Sequence, residues 1–101
     1  MNNEKLDNLL NLALDADPRE LEESPELNVG FDVEDRTWQV IVKGSGDFQQ
    51  IMEIYPEIKI QPLLNGYAIF TVPQDLLEEV SLRPEIEYIE KPRRLFFAAN
   101  E

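Results

Sequence analysis

Residues 65–73, Asn65-Gly66-Tyr67-Ala68-Ile69-Phe70-Thr71-Val72-Pro73, are the stretch from which the fold can be read. Asn-Gly supplies the two positive-φ positions of a tight hairpin, and the β-branched and aromatic residues from Tyr67 to Val72 predict a strand leaving it. Ile58, Ile60 and Leu63 or Leu64 provide the strand that enters it. Upstream, Trp38, Val40 and Val42 alternate with Gln39, Ile41 and Lys43, the signature of a half-buried strand, which closes at Gly44-Ser45-Gly46. Asp47 stands where it would cap a helix bearing Phe48, Ile51, Met52 and Tyr55 on one side, and Pro56 ends that helix. Downstream, Pro73-Gln74-Asp75 opens a helix carrying Leu76, Leu77, Val80 and Leu82, which must stop before Arg83-Pro84. Ile86, Tyr88 and Ile89 then form a last strand.

Strand, helix, hairpin, helix, strand is the order of an α+β domain. It predicts a ferredoxin-like split βαβ sandwich, a four-stranded antiparallel sheet with two helices on one face. The opposite face is then polar, or a docking surface of about 800 Å² per partner.

Ahead of this body, Leu6, Leu9, Leu10, Ala13 and Leu14 recur at helical spacing and define one apolar face. Asp17-Pro18-Arg19-Glu20 reads as an N-cap, a first-turn proline and a capping-box glutamate, so a second short helix runs to about Glu23 before Ser24-Pro25 stops it. Acids crowd residues 15–35, which reads as a solvated, linker-like surface. A calcium loop is excluded there, because the acids lack the alternating pattern, the central glycine and the terminal bidentate glutamate. The expected organisation is an acidic helical extension over 1–36, a ferredoxin-like core over 37–94, and an extended tail over 95–101.

The 101 residues suffice for one domain with its own core. Nine basic and twenty-one acidic residues give 9 − 21 = −12, a field that repels phosphate backbones and anionic lipid, so neither nucleic acid nor membrane is an expected partner. The chain has no cysteine and no histidine. Disulfides, thiolate chemistry, histidine-based triads and histidine metal sites are therefore excluded, and no cofactor or metal is expected. Without a basic n-region or a long apolar run at its start, the chain as given is expected to be soluble and unexported.

Candidate chemistry is thin. Gly44-Ser45-Gly46-Asp47 lies between a strand and a helix, yet Asp47 would repel a phosphate while capping the helix well, so a tight turn explains all four residues. An acylphosphatase-like activity would want a cation in this loop, and none is present. Glu22-Glu23, Glu78-Glu79 and Glu85/Glu87 read as solvated acids rather than a catalytic pair, and Ser24, Ser45 and Ser81 have no base to activate them. The chain is not expected to be an enzyme.

The last seven residues, Leu95-Phe96-Phe97-Ala98-Ala99-Asn100-Glu101, form an apolar strip at the end of a strongly acidic chain. Adjacent bulky aromatics there demand a cover: the domain's own sheet, another protein's groove, or more chain beyond Glu101. Lys91-Pro92-Arg93-Arg94, the only basic cluster, separates this strip from the last strand, and Pro92 cannot continue a ladder.

Three segments together, Trp38-Gln39-Val40-Ile41-Val42-Lys43, residues 65–73, and Glu85-Ile86-Glu87-Tyr88-Ile89-Glu90, resemble the N-terminal propeptides of bacterial subtilisin-like serine proteases. The resemblance spans about residues 37–98 and is most specific where the 86–90 strand leads into the apolar tail. It implies a non-catalytic propeptide, partnered by the protease catalytic domain of the same precursor, that acts as intramolecular folding chaperone and then as transient inhibitor. It further implies that the sheet docks on the protease, and that Leu95, Phe96, Phe97, Ala98 and Ala99 thread the active-site cleft with the cut near Ala98. Glu90 matches an acid that caps a protease helix. Pro92 stands where a second such acid often occurs, so only one of the two caps is matched. Residues 1–36 have no counterpart in the short propeptides, and with no export signal in this chain the resemblance implies a cytoplasmic or spore-associated branch. The competing reading is a stand-alone ferredoxin-like interaction or regulatory module, either a free protease inhibitor or a ligand-binding dimer.

Overall fold

Four helices and five strands make up the chain in a computed structural model that describes residues 4–25, 27–45 and 48–92. They are α1 (Asn8–Asp15), α2 (Pro18–Glu23), β1 (Phe31–Asp32), β2 (Thr37–Gly44), α3 (Gln49–Ile54), β3 (Lys59–Pro62), β4 (Tyr67–Pro73), α4 (Gln74–Ser81) and β5 (Ile86–Glu90). The fold is mixed α+β with an antiparallel five-stranded sheet.

The centre of the sheet is β2. It pairs along its whole length with β4, from Thr37 opposite Pro73 to Lys43 opposite Tyr67, and β4 pairs in turn with β3. The other edge of β2 is shared. β5 covers Ile41–Gly44, while β1 places Phe31 opposite Trp38 and Asp32 opposite Thr37. Pro92 has no N–H and cannot extend the β5 ladder, and the Gln39 N–H donates instead to the Gly30 carbonyl at 2.7 Å. Gly30 holds φ +91°, and a Cβ there would lie 2.8 Å from the Gln39 oxygen and 3.0 Å from the Pro92 ring, so the close approach needs glycine.

Alternation in β2 and β4 divides the sheet into two faces. Trp38, Val40, Val42, Ala68, Phe70 and Val72 are fully buried against the helices, whereas Gln39, Ile41, Lys43, Ile69 and Thr71 are half-buried on the other side. Phe48 meets Phe70 edge-on with ring centroids 5.1 Å apart, and Phe31 tilts onto Trp38 at 4.9 Å. The Trp38 Nε1 is the one buried side-chain polar atom without a hydrogen-bond partner among the described residues.

The hairpin forms as its Asn-Gly requires, with φ 63° at Asn65 and 81° at Gly66. Asp17 caps α2 through a 2.9 Å bond from the Glu20 N–H, and Pro18 opens it. At α3 the N-cap position falls on Phe48, with no side-chain cap bond; the expected cap, Asp47, lies outside the described residues.

Several sequence expectations change. Leu6, Leu10, Ala13 and Leu21 join the same buried cluster as the sheet, so the described part of segment 1–36 is packed onto the body. Two short helices cannot bury an apolar face alone, and the sheet layer supplies the missing surface. The expectation for Leu9 fails, since it is 52% exposed: the buried stripe runs Leu6, Leu10, Ala13, and Leu9 lies about a hundred degrees around the helix from Leu10. Leu82 is 68% exposed because α4 ends at Ser81. Leu63 and Leu64 belong to the turn and are exposed, and Met52 faces out from α3. In β5 the register shifts between Lys43 and Gly44, so Ile86 and Ile89 turn inward and Tyr88 outward, where simple alternation would bury Tyr88 with Ile86. The acidic stretch is not wholly linker: Asp32 Oδ1 accepts from the N–H groups of Glu34 and Asp35, turning the chain from β1 into β2.

Gly44 carries a testable consequence. A Cβ there would lie 2.4 Å from the Glu85 carbonyl oxygen and 2.5 Å from the Phe48 ring. Gly44→Ala must separate β2 from the turn before β5, and an overpacking cost of about 1–3 kcal/mol is expected in a urea melt. An unchanged midpoint would show that the contact yields freely.

Candidate functional site: the open sheet face and the end of β5

The face of the sheet away from the helices is built by the outward residues of four strands. Across its middle Ile41 and Ile69 stand opposite each other, with Gln61 beyond Ile69 and Glu90 beyond Ile41. Toward the hairpin end Tyr67, Lys43 and Tyr88 form a second row, and toward the other end Gln39, Thr71 and Lys59 form a third. Lys43 Nζ lies over the Tyr67 ring, 4.9 Å from its centroid, and donates to the Asn65 carbonyl at 3.3 Å, so the ammonium rests on the aromatic face beside the hairpin. A shallow hollow of about 490 Å³, lined by Gly30, Phe31, Asp32, Thr37, Gln39 and Thr71, opens beside β1.

The electrostatics of this face differ from those of the chain. Two lysines and one glutamate stand on these rows, in a protein of net charge −12. Asp32 adds a second acid at the margin, opposite Thr37, and the face keeps two isoleucines at its centre with two tyrosines flanking them toward the hairpin; an apolar centre with a polar rim is the pattern of an interface. Burial pushes the Tyr88 phenol above its ordinary value, and the charges of Asp7 and Glu90 push it the same way.

Strand β5 borders this face and leads to the C-terminus. Its inner edge pairs with β2; its outer edge is met by the N-terminal segment, Leu6 forming a parallel bridge to Ile89. The turn entering β5 is held by Arg83, which reaches Glu85 with two nitrogens at 3.2 and 3.1 Å and keeps that carboxyl below the usual glutamate range. This support is present above the ordinary glutamate pKa and fades as the pH falls through the depressed value. At the C-cap of α3 the Tyr55 phenol is raised, chiefly by its hydrogen bond to Glu79.

Of the residues expected to carry function, Glu90 sits on this face, half-buried and cross-strand from Ile41. Leu95, Phe96, Phe97, Ala98 and Ala99 lie outside the described residues. Lys91 and Pro92, the last residues described, are both buried. Sequence reasoning identified the alternation that creates the face but not Asp7, whose carboxylate meets the Lys91 N–H across most of the chain's length. The only local signal was an aspartate before a helix. Among the described residues no cluster of three or more acids is placed to hold a metal, and no helix is long and apolar enough to cross a membrane.

Comparison with curated proteins and with solved structures returns no match. A family match, to the Csp protease B prodomain, covers residues 4–93. It takes in both the sheet body and the N-terminal helices packed on it, and it agrees with the protease-prodomain resemblance carried by β2, the hairpin and β5. With every described residue inside the match, this chain belongs to the Csp protease B prodomain family.

Proposed function

We propose that this prodomain is the non-catalytic folding chaperone and transient inhibitor of a subtilisin-like catalytic domain carried in the same precursor. Its open sheet face lies on the protease surface, and Leu95, Phe96, Phe97, Ala98 and Ala99 occupy the active-site cleft. The observation that carries this reading is the open face itself: a surface centred on the apolar pair Ile41 and Ile69, bordered by the strand that leads to the apolar C-terminal residues. In this reading Glu90, at the edge of that face, meets a helix N-terminus of the partner. The order β5-β2-β4-β3, with α3 and α4 as crossovers on one side, supports the ferredoxin-like reading of the body, to which the N-terminal helices and β1 are additions.

The energetics are coherent. Joined in one chain, prodomain and protease have an effective concentration near the millimolar range; with roughly nanomolar affinity this favours the folded protease by about 8 kcal/mol. Cleavage removes the enforced proximity, and the freed prodomain inhibits until it dissociates or is digested. The family match favours this reading over a stand-alone regulatory module.

Inhibition of a subtilisin-like catalytic domain by the intact chain, compared with a chain ending at Arg94, tests the role of the last residues. Loss of the tail is expected to raise the inhibition constant about thirtyfold, the scale of one buried anchor. Equal potency would remove the cleft from the mechanism.

A further inference from the structure

The N-terminal residues Lys5 to Asp7 do more than complete the core. They form a latch on the outer edge of β5. The Ile89 N–H donates to the Lys5 carbonyl at 2.7 Å, and the Asp7 N–H donates to the Ile89 carbonyl at 3.1 Å. Leu6 between them is buried at 3% exposure, and Asn11 Nδ2 donates to its carbonyl at 3.1 Å. Lys5 Nζ reaches back to the Arg83 carbonyl at 3.1 Å, before β5 begins. The two Ile89 bonds satisfy backbone groups that a bare edge strand would leave open, and the Asn11 and Lys5 bonds tie the latch to α1 and to the turn before β5.

Asp7 closes the latch with a divided carboxylate. Its Oδ1 accepts the Leu10 N–H at 2.7 Å and caps α1, while its Oδ2 accepts the backbone N–H of Lys91. One side chain therefore starts the first helix and fixes the residue that follows β5. We propose that Asp7 is a positioning residue for the C-terminal segment: by holding the Lys91 amide, it sets where the residues after Pro92 depart toward the protease. This inference rests on the tail-in-cleft reading proposed above. It assigns to the N-terminal segment, which the short propeptides lack, the task of presenting the other end of the chain.

The chemistry of the carboxylate separates the two roles. Asparagine and serine are both good helix caps, but asparagine has a single acceptor oxygen and would turn an NH₂ donor toward a second N–H. Asp7→Asn thus keeps the cap and loses the Lys91 bond, and Asp7→Ser, with one short hydroxyl, does the same.

The test is a double-mutant cycle in the inhibition constant against a Csp-type catalytic domain, crossing Asp7→Asn with truncation after Arg94, alongside amide exchange at Lys91. In the intact chain Asp7→Asn is expected to weaken inhibition about tenfold and to speed Lys91 exchange by a similar factor, a charged-acceptor bond being lost. In the truncated chain it should change inhibition less than about twofold, since no tail remains to be positioned. The same loss in both backgrounds, no loss in the intact chain, or unfolding of both the Asp7→Asn and Asp7→Ser variants would overturn the proposal and leave Asp7 a structural residue. If truncation alone costs nothing, the tail-in-cleft reading falls and the positioning role falls with it. Asp7 failing while truncation still weakens inhibition isolates the error to the latch.

Discussion

Deleting residues 1–36 is expected to leave a chain that does not fold cooperatively. These residues supply Leu6, Leu10 and Leu21, each with at most 3% of its surface exposed, to the same buried cluster as Trp38 and Phe70. Three fully buried leucines contribute about 6 kcal/mol, against a total of about 5–15 kcal/mol for a domain of this size. The deletion also strips the outer edge of β5, removes β1 from its place beside Trp38, and orphans the N–H groups of Ile89, Lys91 and Gln39. A milder variant, Leu10→Ala, should cost about 2–5 kcal/mol by the cavity it leaves. Circular dichroism during a thermal melt reads both. A truncated chain that melts sharply within a few degrees of the full one would mean that the body from Thr37 onward is self-sufficient.

Ile69→Glu is expected to leave the fold intact and weaken inhibition on the order of a hundredfold. Ile69 is half-buried on the open face, directly opposite Ile41 and Gln61. Lys43 and Lys59 lie one diagonal away, so a glutamate at this position finds two opposite charges within reach and little stability is lost. In a docked complex the same carboxylate and its lysine neighbours would be carried from water into the centre of an interface, where desolvating the charges costs several kcal/mol. Ile69→Val keeps the surface apolar and should inhibit nearly as well as the native chain. An Ile69→Glu variant that folds and inhibits at full strength would show that the protease rests on some other surface.

These expectations show where sequence reading reached and where it stopped. Elements whose signal is local were legible: the Asn65-Gly66 turn, the alternation through Trp38, Val40 and Val42, and the Asp17-Pro18 start of α2 all depend on residues within a few positions of each other. Their burial faces followed wherever the period stayed regular. β5 broke that rule, because its register shift is set by pairing with Lys43 and Gly44 more than forty residues earlier. β1 was missed for a related reason. Two residues amid acids carry no strand signal of their own, and Phe31 is placed by the edge that Pro92 leaves vacant and by the Trp38 ring.

Local signals alone specified the order of strands and helices from Thr37 onward and the division of β2 and β4 into an inner and an outer face, and composition alone specified a chain without cysteine or histidine. Only the tertiary structure decided that the first helices belong to the core and that Asp7 holds the exit from β5. Those are long-range contacts: a buried leucine or a shared carboxylate acquires its role from a partner at the other end of the chain, and nothing in its own neighbourhood names that partner.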